Sequence, residues 1–218
     1  MKKKKKSGRF GRFLYTLFAP LVRFVLRVHI TGRENIPSVG GAVVAMNHIS
    51  FGDVIVVTSV FPKNRMPHYL AKAELFRIPL LRSLIRAFGA IPLERRSSDV
   101  GAIRRAIAVA EEGNLLGLFP QGTRCKGKNP ADTPIKSGVA MIAAHAGVPI
   151  IPVCIKIKKV RSALFRRIDV LVGKPLSPES LGLLTAEPNY RLAAETAFRA
   201  ICELGGYTPS ALPEGKSV

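Results

Sequence analysis

The sequence predicts one α/β domain on a mainly parallel mixed sheet flanked by helices, preceded by an amphipathic, membrane-associating helical segment at the N-terminus. Three observations carry this expectation. From Gly40 onward, short apolar runs alternate with longer helical patterns, as strands joined by crossover helices do. With 218 residues and 47% hydrophobic content, the chain can fill one sizeable core and is too short for two independent catalytic domains. Its 34 Lys+Arg against 14 Asp+Glu give a formal charge of +20, and the excess is concentrated in residues 1–27, which hold nine basic side chains and no acid. Such a balance calls for an anionic partner: nucleic acid, phospholipid head groups or a phosphorylated substrate.

The expected divisions are a basic membrane-surface helical segment over 1–30, the α/β domain over 31–204 and a loose tail over 205–218, rich in Gly, Pro and Ser. At about 100° per residue, Arg9, Arg12, Arg23 and Arg27 share one narrow face. Phe10, Phe13, Leu14, Leu17, Leu21, Phe24 and Val25 fill the wide remainder, the pattern of a helix lying in a bilayer interface. The longest apolar stretch, 13–22, contains Pro20 and falls well short of the about 20 residues that a spanning helix needs. Pro20 is expected to kink or split the segment into two short helices. Lys2 to Lys6 add attraction to anionic lipid, about 1 kcal/mol per residue near the surface. Two other readings compete with this one. A secretory signal peptide has a similar basic start, but four arginines and a proline interrupt the apolar region and no A-x-A site follows. An ordinary helix packed on the domain with its arginines in water would show the same stripe. Cys125, Cys154 and Cys202 are odd in number and scattered, so no disulfide framework or metal site is expected. The segment and the cysteines together predict a peripheral or monotopic protein on the cytoplasmic face of the cell membrane.

Along the domain, strands are expected at 42–46, 68–71, 90–93, 115–119, 150–157 and 168–172. Helices are expected at 54–60, 75–87, 100–112 and 137–146, with a last one near 189–204. In a sheet of this kind the chemistry gathers at the carboxyl ends of strands.

Three segments stand at such ends. Asn47-His48-Ile49-Ser50-Phe51-Gly52-Asp53 follows the apolar strand 42–46 directly. On one straight helix His48 and Asp53 would point about 140° apart, so they meet only if a turn intervenes, and Ser50 and Gly52 favour one. Ser50 then serves as an N-cap with Asp53 in the first helical turn. A carboxylate on one imidazole nitrogen fixes the tautomer and leaves the other as a general base, a role worth about 10²- to 10⁴-fold in rate. The same residues also fit a plain capping box beside a hydrogen-bonded loop histidine. His29, His68 and His145 have no comparable setting. The second segment, Leu118-Phe119-Pro120-Gln121-Gly122-Thr123-Arg124, ends another apolar strand. Gly122 permits close backbone approach, and Arg124 presents a guanidinium fork suited to phosphate. Lys126, Lys128 and Lys136 add positive charge nearby. In the third, Gly89-Ala90-Ile91-Pro92-Leu93-Glu94-Arg95, Arg95 is either a phosphate ligand or one of the chain's many surface arginines.

These segments, with Val148-Pro149-Ile150-Ile151-Pro152-Val153, resemble in order and spacing the four motif blocks of the 1-acylglycerol-3-phosphate acyltransferase family of glycerolipid acyltransferases. Ala71-Lys72-Ala73-Glu74-Leu75-Phe76 is also similar to the family's sequence, and the likeness runs from Val28 to Lys174. The resemblance implies the fold of the glycerol-3-phosphate acyltransferases, with 31–204 as the acyltransferase domain. It implies an acyl chain moving from acyl-CoA or acyl carrier protein to the sn-2 hydroxyl of lysophosphatidic acid, without cofactor, metal or covalent intermediate. His48 would be the base, Asp53 its partner, and Arg95 and Arg124 the acceptor-phosphate ligands. Lys72 and the backbone at Gly122 would stabilise the thioester oxyanion, and Gln121 and Thr123 would line the acceptor pocket. The second block is less apolar at its end, at Pro92 and Glu94, and one further departure matters: the family's third block usually carries Glu where this chain has Gln121. Gln keeps the size but removes a negative charge beside an anionic acceptor, so another lysophospholipid is an alternative acceptor.

Two readings from other classes are weaker. A nucleic-acid-binding protein would suit the charge, but large apolar side chains alternate with the N-terminal arginines and no aromatic stacking platform is visible, so no nucleic-acid partner is expected. A serine hydrolase using Ser50 lacks a G-x-S-x-G elbow and sets Ser50 only two residues from His48. The sequence leaves the oligomeric state, the donor carrier and the chain length open.

Overall fold

The computed structural model describes residues 7–94, 99–158 and 167–210, with side chains from Gly11. Among the described residues seven strands form one sheet in the order β1-β7-β6-β2-β5-β3-β4. They are β1 (Val28–Thr31), β2 (Ala42–Met46), β3 (His68–Lys72), β4 (Ile91–Leu93), β5 (Leu115–Leu118), β6 (Ile150–Lys158) and β7 (Arg167–Val172). β4, β3, β5, β2 and β6 run parallel, β7 pairs antiparallel with β6, and β1 runs parallel to β7. The mainly parallel mixed sheet is thus as expected. β2 sits near its centre and all five of its residues are buried, as a strand covered on both faces requires.

Six α-helices flank the sheet: α1 (Ser7–Val25), α2 (Asp53–Val60), α3 (Pro79–Ala87), α4 (Val100–Glu111), α5 (Gly138–Ala146) and α6 (Tyr190–Gly205). On one face Val43, Ala45, Leu116 and Ile150 pack with Ala106 and Ala110 of α4, Ala140 and Ala143 of α5, and Ala197 and Ile201 of α6. On the other, Ala42, Val44, Met46 and Ile151 pack with Val56, Val57 and Val60 of α2. The many alanines on the first face let three helices approach the sheet closely.

Several expectations are corrected. Residues 28–30, expected to close the N-terminal segment, belong with Thr31 to an edge strand paired with 168–171, so the boundary at residue 30 falls inside β1. The helix expected over 75–87 is a short 3-10 segment at Ala73–Arg77 followed by α3. Pro79 is the cause, because it cannot continue a preceding turn and holds Ile78 extended at φ −86° and ψ 113°. The tail is not loose throughout: Asn129 Nδ2 donates to Thr208 O at 2.7 Å, and Ser210 N and Oγ donate to Asp132 at 2.9 and 2.6 Å.

α1 is one continuous helix through Pro20 rather than two. Tyr15 and Ala19 are buried against the domain, and the Tyr15 hydroxyl donates to Ser59 O at 3.1 Å with Phe61 O at 2.5 Å. This docking holds the helix across the bond that Pro20 cannot make. A second stripe, Phe13, Leu17, Leu21 and Phe24, remains 54–83% exposed. Packing on the domain and presenting an apolar surface are therefore properties of two different faces of the same helix. No helix among the described residues is long and apolar enough to cross a membrane.

Candidate active site

The β2 strand delivers Asn47 and His48 at its carboxyl end, and two neighbouring elements fix them. Asn47 is fully buried and extends the strand with its side chain: Nδ2 donates to Ile155 O at 2.9 Å and Oδ1 accepts from Ile155 N at 2.7 Å. The His48 backbone is held by the loop after β5, because its N–H donates to Gln121 Oε1 at 2.7 Å and its carbonyl accepts from Cys125 N at 2.8 Å.

The turn over 49–52 brings Asp53 back to the imidazole. His48 Nδ1 lies 2.8 Å from Asp53 Oδ2. The carboxylate is 2% exposed and also accepts from Ile49 N at 2.6 Å, Ser50 N at 2.8 Å and Ser50 Oγ at 2.8 Å. With Asp53 ionised, Nδ1 carries the proton and Nε2 is the basic nitrogen. Ser50 acts differently from the expected N-cap. Gly52 occupies that position without a side-chain cap bond, and Ser50 Oγ instead ties Gly52 N, at 3.2 Å, to Asp53. Asp53 begins α2, where a carboxylate also suits the helix dipole.

The His48 ring stacks on Phe119, with centroids 3.9 Å apart and planes 21° from parallel. Tyr69 lies behind Phe119 at 6.5 Å. Gly117 makes room for it, since a Cβ there would stand 2.3 Å from the Tyr69 ring. Arg124 is exposed and its guanidinium lies 3.6 Å over the ring of Phe51, a residue of the His48–Asp53 turn. The first and third motif blocks therefore meet through backbone bonds, a ring stack and a cation–π contact.

Gln121 is 4% exposed, with its oxygen on His48 N and its Nε2 donating to Thr133 Oγ1 at 2.6 Å. Thr133 Oγ1 in turn donates to Pro130 O at 2.6 Å. The Gln121 side chain is thus engaged in holding His48. Gly122 has φ +66°, and its N–H donates to Phe119 O at 2.9 Å, so that amide is engaged within the turn. Thr123 is exposed. Lys72 is exposed at the end of β3, and the parallel register of β3 on β5 sets it level with Pro120, at the same end of the sheet as His48. Arg95 lies outside the described residues. Phe119, Tyr69, Phe51 and Thr133 were missed as site residues. Of these only Phe51 and Phe119 carried a signal, as aromatics inside the two blocks.

The chain is similar to several known proteins. The family model described as acyltransferase matches residues 27–156. The chain is 30% identical over 180 residues to the 1-acyl-sn-glycerol-3-phosphate acyltransferase of Bacillus subtilis, covering 81% of this chain and 87% of that protein. It is 35% identical over 131 residues to the protein of the same name from Borreliella burgdorferi, covering 59% of this chain and half of that protein's length. The crystal structure of the 1-acyl-sn-glycerophosphate acyltransferase PlsC from Thermotoga maritima superimposes with a TM-score of 0.66 at 25% identity, over 96% of this chain and 86% of that one. A family-model match over more than half of the chain shows that this protein belongs to the acyltransferase family.

Proposed function

We propose that the protein transfers an acyl chain from an acyl thioester, acyl-CoA or acyl carrier protein, to the free sn-2 hydroxyl of 1-acyl-sn-glycerol 3-phosphate, giving phosphatidic acid. The observation that carries this reading is the 2.8 Å contact of His48 Nδ1 with a buried carboxylate that has three further donors. His48 Nε2 takes the hydroxyl proton as the oxygen attacks the thioester carbonyl. The C–O bond forms, the C–S bond breaks, and the proton held on His48 leaves with the thiolate. Asp53 orients the ring and stabilises the imidazolium between these steps. No covalent enzyme intermediate and no cofactor are required.

Arg124 binds the acceptor phosphate, and Arg95 is its proposed second ligand. Lys72, at the same end of the sheet, is the proposed cation for the developing oxyanion. The names of the relatives support lysophosphatidic acid as acceptor. Gln121 gives no independent reason for another lysophospholipid, because its amide is bonded to His48 and Thr133. α1 seats the enzyme on the cytoplasmic face of the cell membrane, with Phe13, Leu17, Leu21 and Phe24 in the lipid and the basic residues toward anionic head groups.

Purified protein is assayed with a panel of lysophospholipids and both donor types. Transfer to 1-acyl-sn-glycerol 3-phosphate is expected to dominate. His48→Ala should lose nearly all transfer while keeping membrane binding, and Asp53→Asn should lose about 10²- to 10⁴-fold in kcat. Absence of transfer to every acceptor, or a trapped acyl adduct on Ser50, would remove this reading.

A further inference from the structure

The elbow between α1 and β1 forms a second basic depression, apart from the His48 loop. It encloses about 350 Å³ and is lined by Arg23, Phe24, Arg27, Val28, His29 and Arg167, with no acidic side chain in its wall. Arg27 is the one non-glycine residue with a positive φ, 46°, among the described residues. That backbone costs on the order of 1 kcal/mol. It turns the chain from α1 into the edge strand and sets Arg27 into the same wall as Arg23, one helical turn earlier. Arg23 Nε donates to Ala19 O at 3.3 Å, and Arg167 Nε donates to Asp169 Oδ1 at 2.8 Å. Each bond uses one of the five N–H donors of its guanidinium and fixes the direction of the group. Arg167 is ion-paired with Asp169, which leaves Arg23 and Arg27 as the uncompensated charges of the depression, and a phosphate that accepts from them balances that charge.

The position of the depression follows from strand direction. β1 and β7 run opposite to β2, so the start of β1 lies at the same end of the sheet as the end of β2, where His48 emerges. β1, β7, β6 and β2 are successive neighbours, which sets the two features about 14 Å apart across the sheet. Phe24, in the wall, is 83% exposed and continues the row formed by Phe13, Leu17 and Leu21. A ligand with a phosphate at one end and acyl chains at the other matches both the arginines and the row.

We propose that this depression binds the phosphate group of an anionic phospholipid, which orients the enzyme on the bilayer with the His48 end of the sheet toward the lipid. The inference rests on the reading of α1 as a membrane-surface helix. The phosphates of a soluble thioester donor share the same chemistry, and the test separates the two sources.

The full chain, without donor, is partitioned onto vesicles of phosphatidylcholine alone or mixed with phosphatidylglycerol. The variant Arg27→Asn/Arg167→Gln is compared with Arg191→Gln/Arg199→Gln, which removes equal charge from the exposed side of α6. Asn tolerates the left-handed backbone at position 27, so the elbow is kept. On the anionic vesicles the first variant should bind on the order of tenfold more weakly and the α6 variant within about twofold of wild type. On phosphatidylcholine alone all three should bind alike. Added coenzyme A should leave the difference intact. If coenzyme A abolishes it, the phosphate site serves the donor and the lipid ligand is overturned. Equal losses in both variants overturn the site and leave the α1 reading standing. Failure of wild type to bind any vesicle overturns both.

Discussion

Replacing Gln121 by leucine asks whether the loop after β5 holds the proposed base in place. Leucine is close to glutamine in volume, so the perturbation is the loss of two hydrogen bonds rather than a cavity. His48 N–H loses its acceptor at 2.7 Å, and Thr133 Oγ1 loses a donor at 2.6 Å while keeping its own bond to Pro130 O. Leaving the shielded N–H unpaired costs about 1–3 kcal/mol, and the second bond adds about 0.5–1.5 kcal/mol. A total near 2–4 kcal/mol lowers the melting temperature of a chain of this size by roughly 5–15 °C. The rate of acyl transfer should fall further than the unfolded fraction explains, because the His48 backbone is then anchored on this loop only by Cys125 N. Gln121→Glu serves as the companion. Its carboxylate still accepts from His48 N–H, and Thr133 turns its hydroxyl from Pro130 O to the new oxygen, so stability should stay within about 1 kcal/mol of wild type. Thermal unfolding and initial rates measure both variants. A leucine variant that melts with wild type and keeps its rate would show that Gln121 does not hold His48.

Two further predictions concern the edges of the site. Phe51→Ala removes the ring under Arg124, a contact worth about 0.5–1 kcal/mol when exposed, and should raise KM for the phosphorylated acceptor about two- to fivefold with little change in kcat. Phe51→Trp should restore it, and steady-state kinetics with varied acceptor decides. Hydrogen bonds from Ser210 hold the Asp132 carboxyl below its usual range. A depressed folded-state pKa contributes stability above the unfolded value and loses it as pH falls through the folded one. Amide exchange at Ser210 should therefore stay protected at neutral pH and lose protection once Asp132 is protonated, at a pH below the usual aspartate range.

Much of this arrangement was legible in the sequence because it is local. The apolar run 42–46, a turn and Asp53 five residues after His48 specify a strand that hands a histidine to a carboxylate. What stayed hidden depends on distant partners. Thr133 is twelve residues from Gln121 and belongs to no motif. The Tyr69–Phe119–His48 stack joins three separate segments, and Gly117 reads as an ordinary strand glycine until Tyr69 is seen against it. β1 is only four residues long and follows an apolar helix, so the alternation of Val28 and Ile30 with His29 and Thr31 is too short to announce its pairing with β7. The two apolar faces of α1 also merge into one wide stripe when only residue type is counted. The buried Tyr15 and Ala19 separate them.

The two backbone bonds that the loop after β5 makes to His48 have a practical meaning for exchanging parts between relatives. Neither the histidine turn nor the loop carrying Gln121 and Cys125 is a self-sufficient module, since one supplies the reactive ring and the other supplies its mounting. A chimera that imports the turn alone inherits a foreign mounting, and one that imports the loop alone remounts the native ring. Chimeras between such enzymes should therefore exchange both segments together, with residue 133 included, as a single discontinuous cassette.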